Sequence, residues 1–63
     1  MNDLDDIENQ LRAIMTWLND VNTRLVRDHD GLGSKRLNYA YSDVSLAAQA
    51  VGIRSGEIKR KIS

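Results

Sequence analysis

Leu4, Ile7, Leu11, Ile14, Leu18, Val21 and Leu25 follow one another at alternating steps of three and four residues. Such a spacing keeps one stripe of an α-helix apolar and does not fit the two-residue period of a strand. It predicts a helix from about residue 3 to about residue 28, roughly 39 Å long at 1.5 Å per residue. Asn2 is suited to cap its start, and Asp3, Asp5 and Asp6 lie where the positive end of the helix dipole favours acids. The helix should stop at His29-Asp30-Gly31-Leu32-Gly33-Ser34, where Gly31 and Gly33 can take the positive φ that ends a helix and Ser34 can cap the next one.

The same rhythm returns in Leu37, Ala40, Val44, Ala47 and Val51, falters at Arg54, and resumes with Ile58 and Ile62. Gly52 and Gly56 each weaken a helix by about 1 kcal/mol relative to alanine. The pattern predicts a second helix over about residues 35–52, then a kink or a separate helical segment over about residues 55–62. The short link makes the two helices antiparallel neighbours, so the expected fold is all-α, one helical-hairpin domain spanning the whole chain. Apolar positions remain to be covered: Tyr39, Leu46, Ala50 and Ile53 on the second helix, Met15 and Trp17 on the first. Assembly of hairpins into a helical-bundle homo-oligomer, most simply a dimeric four-helix bundle, would cover them, and Ala47, Ala48 and Ala50 would permit close approach.

Size supports the same expectation. A 63-residue chain without cysteine must be stabilised by helix packing or self-association, because disulfides and thiolate metal sites are excluded. The nine bases and nine acids cancel, but not locally. Residues 1–32 carry seven acids and three arginines, net −4, and residues 33–63 carry six bases and two acids, net +4. A hairpin sets the acidic start of one helix beside the basic end of the other, which accounts for the asymmetry without a ligand. No apolar run approaches the roughly 20 residues that span a bilayer, and the acidic opening is unlike a signal peptide. The expectation is a cytoplasmic protein with no membrane contact.

The inventory for catalysis is thin. His29 between Asp28 and Asp30 resembles a solvated helix end more than a catalytic or metal site, and Asp5 and Asp6 suit the dipole better than acid–base work. No enzyme activity, metal or cofactor is expected. Binding is better provided for. Lys35 and Arg36 open the second helix, where free amides and the dipole favour an anion. Tyr39 and Tyr41 follow one turn later and could stack on a base, and Ser42, Ser45 and Gln49 could bond a sugar or base edge. The expected ligand-binding set is therefore Lys35, Arg36, Tyr39, Tyr41 and Ser42, with a small anionic nucleotide as ligand. The short basic run Lys59-Arg60-Lys61 makes binding to DNA or RNA a weak expectation.

The stretch KRLNYAYSDVSLAAQAV resembles the C-terminal helix of small phage proteins that sequester nucleotide immune signals, the anti-CBASS sponges. The matching positions are Lys35 or Arg36, Leu37, Ala40, Ser42, Asp43, Val44, Ala47 and Ala50. The sponges' N-terminal His-Arg and Gly-Tyr-Arg segment, which contributes to their nucleotide site, has no counterpart ahead of the first helix here. The resemblance implies a compact helical oligomer that holds a phosphorylated nucleotide without changing it, a cyclic oligonucleotide or a cyclic ADP-ribose of the Thoeris type. The alternative function is a coiled-coil interaction module that acts as inhibitor or adaptor of a protein partner.

Overall fold

The computed structural model describes residues 3–62 and consists of two helices, α1 (Leu4–Asp28) and α2 (Ser34–Ile62). There is no strand among the described residues. The pair forms a rod of 50 × 16 × 11 Å with a radius of gyration of 15.0 Å. The expected capping role of Asn2 and the place of Ile62's side chain lie outside the described residues. Asp3 occupies the N-cap position of α1 without bonding a backbone amide through its side chain.

The link does what its glycines suggest. Gly31 and Gly33 both adopt φ +76, and Asp30 joins them with φ 54. The carbonyl of Leu25 accepts from the amides of both His29 and Gly31, each at 2.9 Å, which closes the end of α1. Leu32 then bonds back to His29 at 3.0 Å and Ser34 to Gly31 at 2.9 Å. The turn thus has its own hydrogen bonds. Ser34, expected as a cap, donates its hydroxyl instead to the side-chain carbonyl of Asn22 on α1.

At the other end Asp5 joins the helices. The Ser55 hydroxyl donates to one oxygen of Asp5 at 2.6 Å, and the Lys59 ammonium lies 2.9 Å from the other. The start of α1 is therefore tied to the end of α2, and the end of α1 to the start of α2.

Two features differ from the sequence reading. First, α2 is one helix through Gly52 and Gly56, where a kink or a separate segment is expected. Gly52 lies against α1, and a Cβ there would meet Glu8 Oε2 at 2.8 Å. The missing side chain leaves room for the Glu8 carboxylate. Second, the packed stripe is rotated. On α2, Leu37, Val44, Val51 and Ile58 are half-buried as expected, but the fully buried positions are Ala48 and Ser55, while Ala47 and Arg54 are exposed. On α1, Leu4, Leu11, Leu18 and Leu25 alternate with half-buried Glu8, Met15 and Asn22, and Ile7 and Ile14 are left exposed. Ala48, Gly52 and Ser55 of α2 have turned toward α1, with Ser55 bonded to Asp5 and Gly52 beside the Glu8 carboxylate.

The glycines also differ in what replacement should do. A Cβ at Gly56 meets nothing closer than Arg60 at 3.8 Å, whereas at Gly52 it presses on a Glu8 carboxylate held by Arg12 at 2.9 Å. Gly56→Ala should raise stability by about 0.5–1 kcal/mol through helix propensity. Gly52→Ala should gain less, because Glu8 must move. Urea unfolding followed by circular dichroism measures both, and equal gains would show that the Glu8 contact has no energetic weight.

Candidate functional site

The expected binding residues all lie on the first three turns of α2, but the helix spreads them around its axis. Residues two apart on a helix diverge by roughly 200°. Tyr41 accordingly lies over α1, sharing a groove with Leu18, Asn19, Asn22, Leu37 and Asn38. Tyr39 projects from the other side and is 56% exposed. The two rings do not make one stacking platform on a single chain. Lys35 and Arg36 are exposed in the opening turn, which contains no acid, and Ser42 is exposed about two turns beyond. Lys35, Tyr39 and Ser42, at steps of four and three, share one exposed face of α2, whereas Arg36 and Tyr41 lie off it.

Other residues gather more closely than the expected ones. The Tyr41 groove continues along α1 past Thr16 and Met15 to Arg12. Its polar groups are the Asn19, Asn22 and Asn38 carboxamides, the Thr16 hydroxyl, the Tyr41 phenol and the Arg12 guanidinium. Arg12 is held by Glu8, through Nε at 3.1 Å and Nη2 at 2.9 Å. On α1 the polar groove residues Arg12, Thr16, Asn19 and Asn22 follow helical steps of four and three, whereas Asn38 and Tyr41 come from the other helix. Only the pairing of the helices sets Asn19 beside Asn38.

A second feature is apolar. Tyr39, Leu46 and Ile53 recur at seven-residue intervals on α2, half a turn away from the buried Ala48 and Ser55, with exposures of 56%, 64% and 56%. Ala50 lies exposed between them. This row turns away from α1, and nothing in the hairpin covers it.

His29 and its neighbours assemble no centre. Asp28 is bonded to Arg27 at 2.9 and 3.0 Å, and the guanidinium holds its carboxyl below the ordinary 3.8. Among the described residues no three His, Cys, Asp or Glu side chains gather to hold a metal ion. Nor is any described helix long and apolar enough to cross a membrane. No protein-family model, curated protein or solved structure matches this chain.

The carboxylates that the fold shifts, Asp5 and Asp28, are both held by basic side chains. The Lys59 ammonium and then the Ser55 hydroxyl, both bonded to Asp5, hold its carboxyl below the ordinary value of 3.8. A group whose pKa is lowered on folding contributes stability that is complete above its unfolded value and is lost as pH falls through its folded value. The hairpin should therefore weaken in acid below about pH 4. Asp5→Asn should flatten that dependence relative to the unmodified chain, leaving the part due to Asp28. Urea midpoints measured from about pH 6 to about pH 2 check this, and an unchanged slope in Asp5→Asn would refute it.

Proposed function

We propose that this chain is a non-enzymatic interaction module, an antiparallel helical hairpin that receives an amphipathic helix of a protein partner on the outer row of α2. The observation that carries this reading is that row: Tyr39, Leu46 and Ile53, spaced by heptads and each more than half exposed. Large apolar side chains at steps of seven, with a small Ala50 between, have the form of a helix face that packs against another helix. The flanking charge narrows the partner. Residues 33–63 carry net +4, with Lys35 and Arg36 at one end of the row and Arg60 and Lys61 towards the other, while Lys59 is engaged by Asp5 on the inner face. A partner helix with acidic flanks fits best.

The test is a photo-crosslinking amino acid placed at Gln49, beside the row, in cells that express the chain naturally. One discrete adduct with a different protein is expected, and Leu46→Lys should reduce it at least tenfold while the helical content stays unchanged. An adduct insensitive to Leu46→Lys, or none at all, would overturn the reading.

A second reading, sequestration of a small phosphorylated nucleotide such as a cyclic oligonucleotide or cyclic ADP-ribose, is favoured by one observation. Lys35 and Arg36 are both exposed in an opening turn that lacks acids, and Tyr41 lies in a polar groove farther along the same helix. Because Tyr39 and Tyr41 diverge, this site would need a second subunit to supply its other ring. Native mass spectrometry with such nucleotides separates the two readings. Integral nucleotide binding that Arg36→Ala abolishes, with helical content and assembly retained, supports sequestration; a chain that ignores every nucleotide removes it.

A further inference from the structure

The long sides of the hairpin are not alike. One carries the polar groove in which Asn19 of α1 and Asn38 of α2 meet beside Tyr41. With that side fixed, the 100° step of an α-helix sets Ile7, Ile14 and Val21 on the opposite side of α1, and Ala40, Ala47 and Ile58 on the opposite side of α2. Ile7 is 38% and Ile14 41% exposed, and Ala47 is exposed. Together they form an apolar shelf along the rod, with Trp17, 64% exposed, at its outer margin. The shelf is a different face from the outer row of α2.

We propose that a second copy of this chain covers the shelf, with α1 of each hairpin lying over α2 of the other about a two-fold axis parallel to the helices. Three observations argue for this occupant. The first is area. A compact monomer of 7.1 kDa would expose about 4,100 Å². The hairpin exposes 4984 Å². The excess of roughly 900 Å² is close to the ~800 Å² that each partner buries in a stable interface. The radius of gyration, 15.0 Å, likewise exceeds the roughly 11 Å of a compact chain of this length.

The second is shape. The Asp5–Ser55 bond and the approach of Glu8 to Gly52 set Ile14 at the height of Ala47, and Val21 at that of Ala40. A two-fold axis along the rod preserves height. Ile14 of one copy then seats over Ala47 of the other, and Val21 over Ala40, bulky side chains on small ones. An axis across the rod would instead stack Ile14 near its own copy and Ala47 near its own copy, crowding one helix pair and leaving a gap at the other.

The third is charge. The axis along the rod lays the half of net −4 over the half of net +4, and brings Asp6 to the height of Arg54 of the second copy. The crossed axis would lay like on like. Arg24 and Arg36 of opposite copies come to one height at the exposed margin, where solvent screens them.

The natural absence of cysteine makes the arrangement directly readable. Ile14→Cys and Ala47→Cys would be prepared separately, checked for unchanged helical content, and treated with a short bis-maleimide alone and mixed. The unmodified chain should sediment as a dimer. The mixture should yield a covalent dimer joining the Ile14→Cys chain to the Ala47→Cys chain, at least tenfold above the dimer formed by either variant alone. A monomer at tens of micromolar would overturn the proposal. So would a dimer in which Ile14→Cys links to itself, which reports the crossed axis, or one that gives no link at either position. Leu46→Cys linking to itself would place the second copy on the outer row of α2 and remove that row from the partner. A monomer that still forms the Leu46-dependent adduct would overturn self-association alone and leave the interaction reading intact.

Discussion

The arrangement of this hairpin depends on one carboxylate. Asp5 receives the hydroxyl of Ser55 on one oxygen and the ammonium of Lys59 on the other. Ser55 is 2% exposed, so its hydroxyl has no access to bulk water and must have a partner in the protein. Asp5 is one partner that accepts it. Ser55 faces α1, and Ala48, seven residues before it, lies on the same inward stripe. At the far end Asn22 and Ser34 make a matching bond. Two polar ties thus accompany the rotation of α2 that buries Ala48 and Ser55.

That rotation explains the surface. Burying Ala48 and Ser55 leaves the larger Leu46, Ile53 and Tyr39 on the outside and moves Ile7 and Ile14 to the edge of the contact. A two-helix chain has little interior, and this one gives its fully buried positions to small side chains. The apolar area that would stabilise a larger domain from within is displayed instead on two separate faces. A chain built this way is suited to binding other helices. The shelf suits a second copy, because its two halves are complementary in bulk and charge. The outer row of α2 has no such complement among the described residues, and in our proposal it is therefore assigned to a different protein.

The separation of Tyr39 from Tyr41 bears on the nucleotide reading in the same way. In the sequence the two rings are neighbours, but the helical step sends one over α1 and the other away from it. The Tyr41 groove has the composition of a polar recognition surface, with three carboxamides and Arg12 nearby. Its polar α1 residues, Arg12, Thr16, Asn19 and Asn22, form a stripe at helical spacing, and only the pairing of the helices adds Asn38 and Tyr41 to it.

The amino-acid sequence by itself determined that two helices form and where they join. The three-four spacing of Leu4 to Leu25 admits no strand, and Gly31 and Gly33 supply the positive φ of the turn. These are local properties, decided by side-chain period and backbone sterics within a few residues. Only the tertiary structure decided which stripe of each helix is inside. Ala40 or Tyr41, Ala47 or Ala48, and Arg54 or Ser55 are equivalent choices for a heptad count, since one residue's shift rotates a helix by only about 100° and both stripes contain small residues. The choice fell to interactions between residues far apart in the chain, Asp5 with Ser55 and Lys59, and Glu8 against Gly52. The continuity of α2 through Gly52 and Gly56 follows from the same cause: contacts with α1 along its length outweigh a propensity cost of about 1 kcal/mol per glycine.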